Sequence, residues 1–231
     1  LFVIRGNDQG ARFELKGVVV GQLLVAIVGG IVAIIALGKN GAGIGAALTQ
    51  HRTDPRLGPI ALDLLAKGLA ADAAMQAVVA ATPHRHWRQL ALIDAEGRTA
   101  VYSGANVRGE KGEAQGRDCA AIANIVRSAS LPDAMVAAFE KSADLPLARR
   151  LLDALEAGEA AGGERQPVVS AALLVVHRES FPYVDLRVDD HARPIAELGR
   201  LWSMYAPEAD AYVVRAVDPE QAAPPPGMKI G

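Results

Sequence analysis

Apolar positions along this chain follow two spacings, and the stretch from Ser170 to Leu198 shows both. Ala171 to Val176 is an unbroken apolar run, the length of a strand buried on both faces. From Tyr183 to Val188 the pattern alternates: Val184, Leu186 and Val188 point one way, Tyr183, Asp185 and Arg187 the other. That alternation predicts a strand with one wet face. The polar break His177–Ser180, with Pro182 after it, makes the two a hairpin whose second strand ends in Asp189-Asp190-His191. Pro194 then opens a helix that runs through Trp202 and Tyr205 to about Ala206, with Asp190 or His191 placed to cap it.

The same reading organises the rest. Phe2–Ile4 and Arg12–Leu15 are short strands, and Val18–Val28 and Ile31–Leu37 form a buried pair. Ala46–Thr49 is a further strand, and the polar run Gln50–Pro55 leads to helices over Pro59–Lys67 and Ala71–Ala81. Gln89–Asp94 and Thr99–Ser103 are a hairpin about Ala95–Arg98, entered through the basic loop His84–Arg88. Asn106–Gly116 reads as a polar, glycine-spaced loop, and Asp118 as the cap of a helix from Cys119 to Ser128. Ser130 caps a helix over Ala134–Ser142, and Pro146 opens another over Leu147–Ala157. Tyr212–Val217 suits helix or strand equally, and the tail carries Pro224-Pro225-Pro226. The expected organisation is one domain over residues 1–217 and an extended tail over 218–231, with an α+β fold of two antiparallel sheets and helices outside them.

Composition narrows the function. Of 231 residues 51% are hydrophobic and only 4% aromatic, so Ala, Val, Leu and Ile must fill the core. Lys and Arg number 24 against 26 Asp and Glu, a balance that favours neither nucleic acid nor an anionic membrane as partner. The uncharged stretch Gly17–Leu37 is long enough to cross a bilayer as a helix. Its Val and Ile content and the central Gly29-Gly30 instead predict two strands and a turn. A single cysteine, Cys119 in an Ala-rich segment read as helical, excludes an internal disulfide and fits a reducing, cytoplasmic setting. The loop Gly38–Gly45 lacks the Lys-Ser/Thr pair that a phosphate loop places after its glycines, so close backbone packing is the better reading.

Several stretches, in order, resemble one family. They include Leu48-Thr49-Gln50 with Asp54-Pro55-Arg56-Leu57-Gly58, Ile93–Arg98, Ser103-Gly104 and Ala123-Asn124-Ile125-Val126. Further on come Ala134-Met135, Pro146-Leu147-Ala148, Ala154–Gly158, Ala160–Gly163, Ser170–Val175 and Asp185–His191 with Pro194. Over Gly43 to about Trp202 the chain resembles the bacterial domain-of-unknown-function family 1028, which is similar in fold to the N-terminal nucleophile hydrolases. The resemblance implies a four-layer αββα sandwich and hydrolysis of an amide or peptide bond. The chain departs from the family at Leu1-Phe2-Val3-Ile4, where members begin Thr-Phe-Ser-Ile, so Leu1 has no nucleophilic atom. It also has Ala123-Asn124 for a Gly-Asn pair and Gly163-Glu164 for Gly-Asp.

Two functions follow as expectations. An amide hydrolase needs a nucleophile or activated water, a base and an oxyanion hole. Thr49, Ser103 and Ser170 are hydroxyls near strand ends, Asn124 is a candidate oxyanion donor, and Asp189, Asp190 and His191 are candidates for base and orienter. From these the expected catalytic set is Thr49, Asn124, Asp189, Asp190 and His191. The alternative, which Leu1 favours, is a non-catalytic sandwich that binds a small ligand or dimerises. The expected partners are a small amide or peptide-like molecule and a second copy of the chain, with no cofactor. No metal is expected either, because Asp189 with His191, or His84 with His86, gives two ligands where zinc takes three or four.

Overall fold

The computed structural model describes residues 23–28, 32–36, 43–179 and 181–224. The strands expected at Phe2–Ile4 and Arg12–Leu15, the Gly29-Gly30 turn and most of the Gly38–Gly45 loop lie outside them.

The uncharged stretch near the beginning does fold as sheet: β1 (Leu23–Val28) and β2 (Val32–Ala36) pair antiparallel, Val28 opposite Val32. No helix among the described residues is long and apolar enough to cross a membrane. Chain order continues with β3 (Gly45–Gln50), α1 (Leu57–Ala66), α2 (Ala71–Ala81), a single 3-10 turn at Arg85–Trp87, β4 (Gln89–Asp94) and β5 (Thr99–Ser103). Then come β6 (Glu110–Gly116), β7 (Cys119–Val126), α3 (Leu131–Lys141), α4 (Leu147–Ala160), β8 (Ala171–Val176), β9 (Pro182–Val188), α5 (Pro194–Tyr205) and α6 (Ala209–Val217). Among the described residues a larger sheet has the order β6-β7-β2-β1-β8-β9 and a smaller one β3-β4-β5, every neighbouring pair antiparallel. The fold is α+β.

Side-chain alternation assigns each strand face to a core. On β7, Cys119, Ala121 and Ala123 face α3 and α4, where Leu131, Met135, Phe139, Leu151 and Leu155 are fully or almost fully buried. Ala120 and Ile122 face the other way, against Ala46, Leu48, Ala91 and Ile93 of the smaller sheet. The smaller sheet turns Leu90, Leu92 and Ala100 outward to Ala61, Leu65, Ala74 and Val78 of α1 and α2. Helices thus cover the outer face of each sheet, and the inner faces meet over a thin layer rich in alanine. Where β5 meets β6, Thr99 Oγ1 donates to Gln115 Oε1 at 2.8 Å and Ser103 Oγ to Glu113 Oε2 at 2.9 Å, closing that edge.

Two expectations fail here. The run from Cys119 is a strand, not a helix, and Asp118 caps nothing: its φ of 58° makes the β6–β7 turn, with Gly116 opposite Cys119. Helix propensity is a weak prior for alanine, and burial on both faces overrides it. The polar stretch expected as loop is the edge strand β6, in which Lys111, Glu113 and Gln115 alternate with Gly112, Ala114 and Gly116. Charged side chains suit an edge, where they discourage pairing with another chain. Tyr212–Val217 resolves as helix within α6. Ser130 stands at the N-cap of α3, but its hydroxyl pairs with Ser128 rather than the helix.

Asp94 fastens α2 to the β4–β5 hairpin. It is 2% exposed, and its carboxylate accepts from the Ala71, Glu96 and Arg98 amides and from Arg98 Nε. Burial alone would raise its pKa, yet the bonds from Ala71 and Arg98 hold it below the usual carboxylate value. The stabilisation is therefore present above the ordinary aspartate range and is lost as pH falls through the lowered value. Asp94→Asn is expected to cost about 1.5–3 kcal/mol at neutral pH, read as a lower urea midpoint with unchanged m.

Candidate functional site

Polar residues on the inner faces converge at one end of the two sheets. Gln50, Gln89 and Ser103 stand side by side across β3, β4 and β5, because Gln89 is in register with both. All three share the parity of the apolar residues that face the larger sheet, so the row meets Asn124 on β7. Gln89 Oε1 accepts from Gln50 Nε2 at 2.7 Å and from Asn124 Nδ2 at 3.0 Å. Gln89 Nε2 is directed at Ser103 Oγ (2.9 Å), the Ala123 carbonyl (3.0 Å) and the Gly112 carbonyl (3.3 Å). Gln89 is completely buried.

Backbone strain gathers at the same end. Four non-glycine residues among those described take positive φ; apart from Asp118 they are His51 (55°), Arg52 (50°) and Ile125 (53°). A β-branched residue such as Ile125 is a true outlier there. These positions are linked: the Arg108 amide donates to His51 Nε2 at 3.1 Å, and Gly109 lies on Ile125, where a Cβ would come 2.9 Å from the Ile125 Cα. His51 Nδ1 lies 2.8 Å from the Trp87 carbonyl. Because Nε2 accepts, the proton sits on Nδ1 and the imidazole is neutral. Burial lowers its pKa and the nearby Arg52, Arg108 and Lys111 charges lower it further, against the Trp87 carbonyl, which raises it.

Glu164 adjoins Ile125 from the other side. It bridges Val126, and the Arg165 amide donates to the Ile125 carbonyl at 3.1 Å. Glu164 is 7% exposed, its Oε1 is buried without a hydrogen-bond partner, and burial pushes its pKa up to about 8.

The residues expected from sequence all reach this end of the molecule but occupy three surfaces. Asn124 is on the inner face, 2% exposed, and donates to Gln89. Thr49 has the opposite parity to Gln50 and lies in register with Leu90 and Tyr102, toward α1 and α2; its Oγ1 is buried without a hydrogen-bond partner. Asp189, Asp190 and His191 are exposed at the end of β9. Register runs from Val188 through Ala171, Val28 and Val32 to Ala123, so β9 and β7 end at the same rim, four strand spacings or about 19 Å apart. Asp189 pairs with Arg187 at 2.8 Å, and His191 Nδ1 accepts the Arg193 amide at 3.0 Å, at the start of α5. Ser103 donates to Glu113, and Ser170 precedes β8 on the same rim. Among the described residues no three His, Cys, Asp or Glu stand together as a metal site. Cys119 is buried, and burial foremost raises its thiol pKa to about 12, so it is no nucleophile.

Sequence reading missed Gln50, Gln89 and Glu164. The available signal was a glutamine at the inward parity of two otherwise apolar strands, and an acid standing where the resembled family has Gly-Asp.

No curated protein matches this chain. A solved structure does: protein SPO2555 from Silicibacter pomeroyi, described as a DUF1028 protein, superposes with a TM-score of 0.71 at 27% identity, covering 91% of this chain and 99% of that one. The family model described as a family of unknown function, DUF1028, matches residues 17–198. It begins earlier than the Gly43 at which the resemblance was first placed and takes in both opening strands of the larger sheet. With the family model matching most of its length, the chain belongs to the DUF1028 family.

Proposed function

We propose that this chain is a small-molecule-binding domain, built as a four-layer αββα sandwich of the N-terminal nucleophile hydrolase kind, whose ligand lies at the rim beside the strained turns that follow Gln50 and Asn124. The observation that carries this reading is the linked strain at His51, Arg52 and Ile125. Each such residue costs roughly 1–3 kcal/mol, and strain of this kind concentrates at ligand clamps and active sites. The cost is tolerated here because the Gln89 network and the His51–Trp87 bond hold the flanking strands in place. The ligand is a small amide or peptide-like molecule, which offers a donor and an acceptor in one planar group to a rim made of amides and carbonyls. A thermal-shift screen of dipeptides and small amides should give a saturable rise in Tm for at least one of them. A flat response across the set would refute the binding reading.

Glu164 supports a second reading, amide hydrolysis. A carboxyl that keeps its proton at neutral pH can give it to a leaving amine and recover it from water. In that reading Glu164→Gln lowers kcat/KM for the cleaved amide at least tenfold, and Asp190→Ala, on the exposed end of β9, changes it by less than twofold. Equal losses in the two variants would move the chemistry to the Asp189–His191 rim.

Glu164 also predicts a pH dependence of stability. Its pKa rises from 4.5 in the unfolded chain to about 8 in the folded one, so between these values the folded state holds the extra proton. Stability then falls as pH rises through this window, by at most about 1.4 kcal/mol per unit. Tm of the wild type should drop between pH 5.5 and pH 8 more steeply than that of Glu164→Gln. Parallel curves would show that Glu164 is ionised in the folded protein.

A further inference from the structure

Beside the strained turns lies a group of cations that no carboxylate answers among the described residues. Arg52 and Arg108 come from different loops, yet both guanidinium carbons sit over the Trp87 ring, at 5.8 and 5.7 Å from its centroid. The His51 imidazole stacks on the same indole, 6.2 Å away and only 8° from parallel. Lys111 is held close by, its Nζ donating to the Gly104 carbonyl at 2.9 Å. Arg52, Arg108 and Lys111 each lower the His51 pKa as nearby positive charges.

The neighbouring acids do not neutralise them. Asp54 is taken by Arg56, at 2.8 and 2.7 Å, with Arg88 4.0 Å away. Glu110, one residue past Gly109, forms no ion pair among the described residues. Arg88 is only 13% exposed and its buried Nε has no hydrogen-bond partner. Like charges inside one screening length repel, and an aromatic face offsets only part of that. Two arginines fixed on an indole, with a lysine beside them and a backbone held at positive φ to place one of them, form a receptor for a planar or tetrahedral oxyanion.

We propose that this cluster binds the anionic group of a small molecule, a carboxylate or a phosphate, between Arg52, Arg108 and Lys111 beside Trp87. The assignment rests on the small-molecule reading above and gives that ligand its charge. Both guanidiniums supply paired N–H donors that match two oxygens of either group, and the Trp87 ring lies beside both forks.

The chain's two tryptophans make the test direct, because Trp202, on α5, packs 8% exposed into the core, and Trp202→Phe leaves Trp87 as the sole tryptophan reporter. In that background, inorganic phosphate and succinate are titrated separately at constant ionic strength, with chloride as control. The expected result is a saturable change in Trp87 emission with one of the two, which identifies the group as phosphate or carboxylate. Arg52→Gln and Arg108→Gln should each weaken it at least tenfold, with Arg200→Gln on α5 unchanged and all three variants melting as cooperatively as the parent. Emission that follows ionic strength alone, or variants that bind like the parent, would overturn the proposal. A neutral amide that raises Tm where both anions fail would sink the anion assignment and leave the binding reading standing. Should Trp202→Phe lower the melting point, calorimetric titration of the wild type with the same anions gives the same decision.

Discussion

One side chain, Gln89, holds the two sheets in register at the end where the strained turns lie. It is completely buried, and its amide meets polar groups from β3, β5, β6 and β7. A buried amide without partners costs about 1–3 kcal/mol per group left unsatisfied, so this cluster is stable only when all its members meet at once. That requirement fixes how the smaller sheet sits on the larger. The alanine-rich layer between the sheets has little shape of its own and would tolerate sliding, whereas the amide cluster has one satisfied arrangement. The strained turns follow from it: His51 comes directly after Gln50, and Ile125 directly after Asn124.

Ser103, a hydroxyl at a strand end, invites a catalytic reading, and its surroundings argue for a structural role instead. Ser103 donates to Glu113 as Thr99, earlier on β5, donates to Gln115 further along β6. A bond repeated along two strands is an edge closure, and a lone nucleophile–base pair would have no such twin. Asp189 and His191 after β9 are likewise engaged locally, with Arg187 and with the Arg193 amide before α5. Glu164 and the arginines around Trp87 differ: their environments leave a charge or a polar atom unanswered, and such groups are where ligand chemistry finds purchase.

Local pattern was enough for much of the fold. Ala71–Ala81, Gln89–Asp94, Thr99–Ser103 and Ala171–Val176 fall where periodicity and their flanking turn residues put them. The β1–β2 pair was legible from Val and Ile content against a membrane alternative of the same length. The strand β7 was not, because CAAIANIV is apolar apart from Asn124 and alanine favours helix in isolation. Only α3 on one face and the smaller sheet on the other make it a strand. Asn124 is legible as a candidate oxyanion donor, but Gln89, its partner 35 positions away, requires the register of β4 to be seen.

By itself the sequence determined the α+β class, most element boundaries, the absence of an internal disulfide and the set of residues able to carry chemistry, since these depend on neighbours a few positions apart. Only the tertiary structure decided which of those residues meet. Thr49 and Gln50 are adjacent in the chain and point to opposite faces, while Arg52 and Arg108 are far apart and share one indole. The physical reason is that a strand's parity assigns faces locally, but strand order and register assign partners, and those are set by the burial of whole sheets against each other.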